Sequence, residues 1–143
     1  MRTEVSNEGS LWPLAGKFGA SASGIQSVIE TAKEYDMKIT GVTFHVGSQC
    51  TNIKNWIDGI QSAKSIFAQL EASGWTPELL NLGGGYQVQF IGDEPSIAEI
   101  GEGISKELET IPQSIQVMAE PGRFLAGSAG CLVTQVVGLA TRD

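Results

Sequence analysis

Residues 79–85 read LLNLGGG, a short apolar run closed by three consecutive glycines. The run predicts a buried β-strand, and the glycines predict a tight exit whose bare backbone can approach a ligand closely. Two further segments follow the same plan, ITGVTFHVGS over residues 39–48 and IQVMAEPGR over residues 115–123. Strands that deliver polar groups or bare backbone at their ends predict a parallel α/β protein with its site at the carboxyl rim of the sheet.

Other periodic segments lie between and around these strands. They predict a strand over residues 14–19, helices over residues 25–35, 53–70 and 97–111, and a β-rich run over residues 131–139. We expect Ser21 or Ser23 to cap the first helix, and Thr51 or Asn52 to cap the second. Alternating strands and helices predict right-handed βαβ units, which a flavodoxin-like open sheet and part of a TIM barrel both satisfy.

The composition predicts a single domain or a piece of a larger one, and its charge says little about small ligands. The 143 residues are 41% hydrophobic, enough for one core, and carry a net charge of −7. The resulting pI of about 4.6 argues against nucleic acid or an anionic membrane as the main partner. No apolar run is long enough to span a membrane, and residues 1–5 lack the apolar region of a secretory signal.

The cysteine and histidine content predicts no metal site. Cys50 and Cys131 match no metal-binding or redox spacing, and the chain has a single histidine. Two cysteines without a disulfide framework are typical of a reducing compartment, so we expect a cytoplasmic location.

The run Gly83-Gly84-Gly85 is the first candidate binding element. Glycines allow positive φ and let backbone N–H groups surround a phosphate, although a tight strand-to-helix turn without a ligand uses the same residues. The run is not a dinucleotide fingerprint, because Val88 occupies the position of the third glycine, and no Gly-Lys-Ser/Thr follows to make a phosphate-binding P-loop.

His45 and Ser48 form the second candidate element. The imidazole is suited to packing on a planar ligand and the hydroxyl to donating to an anion, while a half-buried histidine bonded to backbone is the alternative. A Cys–His nucleophile made from Cys50 is disfavoured, because residues five apart around a strand end rarely meet in that geometry.

Glu120 and Arg123 form the third candidate element. A carboxylate at the end of a strand can hold the protonated nitrogen of a heteroaromatic ring, and a guanidinium can neutralise a phosphate. A local ion pair between the two side chains is the alternative. Lys17 is a further possible ligand or nucleophile, with a solvated or ion-paired lysine as its alternative.

Four ordered motifs resemble those of one family over nearly the whole chain. They are Lys17-Phe18-Gly19, Phe44–Ser48, Asn81–Gly85 and Ala119–Arg123. Their order and spacing are similar to those of the pyridoxal-phosphate-dependent decarboxylases with an alanine-racemase-like barrel, which act on ornithine, lysine, diaminopimelate or arginine.

The resemblance implies a role for each candidate residue. His45 would stack on the pyridine ring, and Glu120 would pair with the ring nitrogen. Ser48, the run Gly83–Gly85, Gly122 and Arg123 would hold the phosphate of pyridoxal 5′-phosphate. Arg2 lies at the spacing of a cofactor-side arginine of the family.

The resemblance also implies that much of the family's architecture lies outside these residues. We expect residues 1–129 to form the C-terminal half of the (β/α)8 barrel, and residues 130–143 to be a first strand leading into a β-domain. The Schiff-base lysine of the family has no counterpart here, and Cys131 follows Glu120 too closely to be the family's catalytic cysteine.

Three interpretations follow from these expectations. The first is a fragment of a decarboxylase of a basic amino acid, ornithine or lysine, which would be inactive by itself and would serve polyamine biosynthesis at full length. The second is a non-catalytic module that binds pyridoxal phosphate or phosphate. The third is a structural half-barrel that self-associates, forms a homodimer or assembles with a complementary chain, since its open strand edges invite pairing.

Overall fold

The computed structural model describes residues 1–89, 92 and 94–141. Strands and helices alternate through most of it, as the apolar periodicity predicts. The elements are β1 (Ser10–Trp12), α1 (Ile25–Glu34), β2 (Gly41–Thr43), β3 (Ser48–Cys50), α2 (Lys54–Ala72), β4 (Leu79–Asn81), α3 (Ile97–Leu108), β5 (Gln116–Met118) and α4 (Gly122–Ala126).

The central sheet is parallel, with the order β2-β4-β5. Val42, Leu80 and Val117 stand side by side across its three strands. The amino terminus adds to the β2 edge, because Thr3 N–H donates to the Thr43 carbonyl at 2.9 Å and Thr43 N–H donates to the Met1 carbonyl at 2.8 Å. The predicted α/β class with a parallel sheet is therefore confirmed.

Helix α2 packs its apolar face on the sheet and supplies much of the core. Trp56, Ile60 and Leu70 on this face are fully buried. The N-cap position of α2 is Ile53, which makes no side-chain cap, so the predicted cap at Thr51 or Asn52 is not found there; the Asn52 side-chain oxygen, one residue earlier, accepts a hydrogen bond from the backbone N–H of Lys54 at 3.1 Å. Gly74 follows the helix at a φ of +83°, a conformation that ends helices.

Helix α1 is formed as predicted, but its predicted caps are wrong. Gly24 precedes the helix, and no side chain bonds to the free N–H groups of the first turn. The hydroxyls of Ser21 and Ser23 instead lie 3.1 Å from each other. The Ser21 backbone carbonyl accepts from Gly24 and Ile25, so a turn rather than a side chain introduces the helix.

The strand predicted over residues 14–19 is also wrong. Residues 15–17 form a turn, and Gly16 and Gly19 adopt φ values of +74° and +93°, which strands do not allow. The strand of this region is β1, slightly earlier, which pairs antiparallel with β3. This small ribbon lies beside the loop that carries His45.

Residues 130–141 form no strand in the structure, contrary to the β-rich run predicted there. A strand needs a hydrogen-bonding partner, and this segment is exposed throughout, with its large apolar side chains between 76% and 97% exposed. Arg142 and Asp143 lie outside the described residues. The division into domains at residues 129 and 130 stays a prediction.

None of the helices in residues 1–89 and 94–141 combines the length and apolar character of a membrane-spanning segment.

Candidate functional site

A cavity of about 300 Å³ opens where three strand-end loops meet. Seven of the eight predicted site residues line it, together with Leu14 and Tyr86. The seven are His45, Ser48, Gly84, Gly85, Glu120, Gly122 and Arg123. Gly83 does not line it but is bonded to a residue that does, since Glu120 N–H donates to the Gly83 carbonyl at 2.9 Å. The parallel sheet thus brings together segments that are about 75 residues apart in the chain.

His45 stands half-buried at one wall of the cavity. Its Nδ1 accepts a hydrogen bond from the Gly47 backbone N–H at 3.0 Å, which leaves the proton of the neutral ring on Nε2. Burial lowers the pKa of this imidazole, and the charge of Arg2 lowers it further, against the opposing effect of Glu120. The ring is therefore neutral at physiological pH and presents its Nε2 side towards Gly84.

The glycine run occupies positions that no other residue fits. Gly83 and Gly85 have φ values of +64° and +102°. A Cβ on Gly83 would overlap the Phe44 carbonyl oxygen, and one on Gly85 would overlap the Gly47 carbonyl oxygen. The run is thereby pressed against the loop that carries His45, and its backbone remains accessible from the cavity.

Glu120 is exposed and is held by a residue that the sequence analysis did not assign to the site. The Asn81 side-chain NH₂ donates to Glu120 Oε1 at 3.0 Å, while its oxygen accepts from the Gly83 N–H at 2.9 Å. The signal for Asn81 was its place at the end of a strand, directly before the glycine run.

Arg123 lies in the first turn of α4 and is exposed. Its guanidinium carbon lies 5.1 Å from the centre of the Trp12 ring. None of the salt bridges among the described residues joins it to Glu120, so the alternative of a local ion pair is not observed. Trp12 escaped the sequence analysis because β1 was not predicted.

The remaining candidates lie away from the cavity wall. Lys17 and Arg2 both stack on Phe18, with the Lys17 Nζ 5.3 Å and the Arg2 guanidinium carbon 5.0 Å from the ring centre. The Cys50 thiol is buried, which raises its pKa, and it donates to the Asn52 carbonyl rather than to His45. Neither lysine nor thiol lines the cavity.

The protein family of this chain follows from its similarity to known proteins. A family model described as pyridoxal-dependent decarboxylase, pyridoxal binding domain, matches residues 2–127. The chain belongs to the pyridoxal-dependent decarboxylases. The predicted family is confirmed, and pyridoxal phosphate is the cofactor for which the matched domain is named.

The relatives of this chain include proteins named as decarboxylases and proteins named as antizyme inhibitors. It is 32% identical to the lysine/ornithine decarboxylase of Selenomonas ruminantium over 99% of its own length and 36% of that protein. It is 34% identical to antizyme inhibitor 2 of Xenopus laevis over 96% of its own length and 30% of that protein. The chain therefore spans about a third of the length of these curated relatives.

A solved structure supports the same assignment. The crystal structure of a lysine/ornithine decarboxylase from Vibrio vulnificus, complexed with putrescine, superposes with a TM-score of 0.72 at 32% identity. The match covers 87% of the present chain and 33% of the Vibrio vulnificus chain.

Proposed function

We propose that this chain is part of the pyridoxal-phosphate-binding domain of a decarboxylase that acts on a basic amino acid, ornithine or lysine. The observation that carries the proposal is that His45, the glycine run, Glu120 and Arg123 converge on the same cavity. These groups match the parts of the cofactor one by one: an aromatic ring, a ring nitrogen and a phosphate.

The phosphate would lie between the glycine run and Arg123. Gly84 and Gly85 offer accessible backbone, Ser48 offers a hydroxyl, and Arg123 offers a positive charge that stacks on Trp12 and enters no salt bridge among the described residues. Charge-assisted hydrogen bonds from a guanidinium to a phosphate are strong. This local attraction favours phosphate binding although the chain as a whole carries a net negative charge.

The ring would lie against His45 with its nitrogen towards Glu120. Because the imidazole is neutral and held by the Gly47 N–H, it offers a flat face without adding a positive charge beside the ring. Glu120 would accept a hydrogen bond from the ring nitrogen and hold the proton there. When bound, pyridoxal phosphate supplies an electron sink for the carbanion that forms as carbon dioxide leaves an amino acid.

The extent of the domain is part of the proposal. We place residues 1–129 in the C-terminal half of the barrel and residues 130–143 at the entry to a β-domain, with a cytoplasmic location and a homodimer as the assembled form. No lysine lines the cavity among the described residues. We therefore expect the 143-residue chain to bind the cofactor without covalent attachment and to lack decarboxylase activity.

A second candidate is a non-catalytic module that binds pyridoxal phosphate or phosphate. The lack of a lysine at the cavity wall favours it, as does the similarity to a protein named for inhibiting antizyme rather than for decarboxylation. Borohydride reduction in the presence of pyridoxal phosphate, followed by mass spectrometry, tests the non-covalent binding that both candidates predict for the 143-residue chain. A pyridoxyl group on one specific lysine, with Lys17 the first to inspect, would establish covalent attachment.

The binding site itself is tested by calorimetric titration with pyridoxal phosphate and with inorganic phosphate. We expect Arg123→Ala to weaken the binding of both ligands about tenfold or more, because it removes a charged hydrogen-bond donor. Lys64→Ala is the matched control, since Lys64 is a cation that does not line the cavity and donates to the Thr110 hydroxyl at 2.8 Å. Equal affinities for the Arg123→Ala and Lys64→Ala variants would refute the proposed site.

A further inference from the structure

Within the described part of the chain, the Asn81 side chain joins two of the three rim segments through both of its polar atoms. Asn81 is the last residue of β4 and is buried. Its oxygen accepts from the Gly83 N–H at 2.9 Å, and its NH₂ donates to Glu120 Oε1 at 3.0 Å. One amide thus connects the glycine run with the carboxylate of Glu120, two residues after β5.

The strand register explains why the amide can reach both partners. Asn81 stands beside Met118 in the parallel ladder, and Glu120 follows two residues later on the same face. The backbone also ties the two strand ends together, because Leu82 N–H donates to the Met118 carbonyl and Glu120 N–H to the Gly83 carbonyl, each at 2.9 Å. The amide therefore sits on a rigid base.

Glu120 depends on this contact for its direction. It is an exposed side chain, and the bond from Asn81 is the hydrogen bond that its carboxylate makes to the described residues. An unrestrained glutamate samples many rotamers and loses rotamer entropy when it is fixed. A buried donor that selects one rotamer in advance removes most of that cost from ligand binding.

The chemical type of residue 81 matters as much as its position. An amide donates a hydrogen bond to a carboxylate and carries no charge, so it favours the ionised form of its partner. A carboxylate at the same place could still accept from Gly83 N–H. It would also set two negative charges about 3 Å apart, which disfavours ionisation of one of them.

We propose that Asn81 is a positioning residue, which aims the Glu120 carboxylate into the cavity through one amide hydrogen bond and couples it to the glycine run through the other. This inference rests on the proposed function for its ligand but not for its geometry. Asn81 acts on the ring-nitrogen end of the site through Glu120, whereas Gly84, Gly85 and Arg123 act on the phosphate end directly.

The test compares Asn81→Asp and Asn81→Leu in the full 143-residue chain. In the absence of ligand, carbon-detected NMR follows the pH at which the Glu120 carboxylate takes up a proton. We expect Asn81→Asp to raise that pH through repulsion between the two carboxylates. Asn52→Asp is the matched control, because it adds the same charge beside Lys54 at the start of α2 and should leave Glu120 unaffected.

The ligand arm uses pyridoxal phosphate and inorganic phosphate as separate probes. At neutral pH we expect Asn81→Asp to weaken the binding of pyridoxal phosphate about tenfold and the binding of inorganic phosphate less than twofold. At acidic pH the affinity for pyridoxal phosphate should partly recover, because one of the two carboxyl groups then carries a proton and donates in place of the amide. Asn81→Leu should show the same loss without the recovery.

The two arms keep this inference separate from the proposed function. If the unsubstituted chain binds no pyridoxal phosphate, the proposed function fails while the titration of Glu120 still decides the role of Asn81. If Asn81→Asp and Asn81→Leu leave both the Glu120 titration and the preference for pyridoxal phosphate over phosphate unchanged, Asn81 merely supports the fold and the inference is overturned.

Discussion

Gly85 couples the candidate site to the stability of the chain at a single backbone position. It has a φ of +102°, and a Cβ there would overlap the Gly47 carbonyl oxygen and crowd Val46. The same residue exposes backbone to the cavity. Binding and stability therefore respond together when it changes.

Replacing Gly85 should weaken both properties. We expect Gly85→Ala to cost about 1–3 kcal/mol of unfolding free energy, the usual cost of a side chain forced into a sparsely populated backbone region, and to weaken phosphate binding. Gly101→Ala is the control, because its Cβ would meet nothing within 4 Å inside α3; it should stabilise the chain by about 0.5–1 kcal/mol. Urea denaturation of both variants measures these changes. Equal midpoints of unfolding for Gly85→Ala and Gly101→Ala would contradict the expectation.

His45 gives the chain a predictable response to acid. Its pKa is lowered in the folded state, so the unfolded chain binds a proton more readily as the pH falls below about 6.5. Stability should therefore be full above that pH and decline as the pH falls towards the lowered folded pKa. His45→Gln should flatten the decline in this window, measured by thermal unfolding across pH 4.5–7.5.

The His45 titration has an internal check. The chain has one histidine, so its imidazole signals in proton NMR are unambiguous. A folded-state midpoint at or above the ordinary value would show that the surroundings do not disfavour the charged ring, and the predicted acid sensitivity would lose its cause.

Site residues that follow regular strands could be predicted from the sequence. Site residues whose place depends on tertiary contacts could not. His45, Glu120 and Arg123 were assigned because they come directly after apolar runs, and parallel strands end at one rim. Asn81 was missed because sequence spacing does not say which neighbour a strand-end amide meets. Trp12 was missed because β1 is three residues long and forms only by pairing with β3.

At the scale of elements, the start of α3 is fixed by side-chain capping, although the helical propensity of the segment is low. Gly101 and Gly103 lower the helical propensity of this segment. Its start is nevertheless well defined, because the Ser96 hydroxyl accepts from the Glu99 N–H at 3.2 Å while the Glu99 carboxylate accepts from the Ser96 N–H at 2.7 Å. This capping box was present in the sequence as Ser96 followed three residues later by Glu99.

Removing the cap should destabilise the chain through α3. We expect Ser96→Ala to cost about 1 kcal/mol of unfolding free energy and to bring the lowered pKa of Glu99 back towards its ordinary value, since the bonds to Ser96 are its main cause. Ser105→Ala is the matched control, because Ser105 is exposed within α3 and alanine favours helix there. Similar urea midpoints for the two variants would show that the cap contributes little.

At the scale of the whole molecule, the sheet has an open edge at β5, and apolar side chains on that strand are exposed. β5 pairs only with β4 among the described strands, and its Val117 and Met118 are 39% and 40% exposed. Residues 130–141 add a second exposed apolar surface without regular structure. Unpaired strand edges and apolar patches of this kind are sites of association between chains.

The 143-residue chain should therefore self-associate, and the association should depend on residues 130–141. We expect Val133→Lys combined with Val137→Lys to shift the chain towards monomer in sedimentation velocity, because two charges oppose burial of this segment. Leu11→Lys combined with Val28→Lys is the control matched in charge, since both residues are exposed apolar positions on other elements. A stable monomer of the unsubstituted chain at every concentration would contradict self-association. An equal shift for both double variants would trace the association to net charge rather than to the apolar segment.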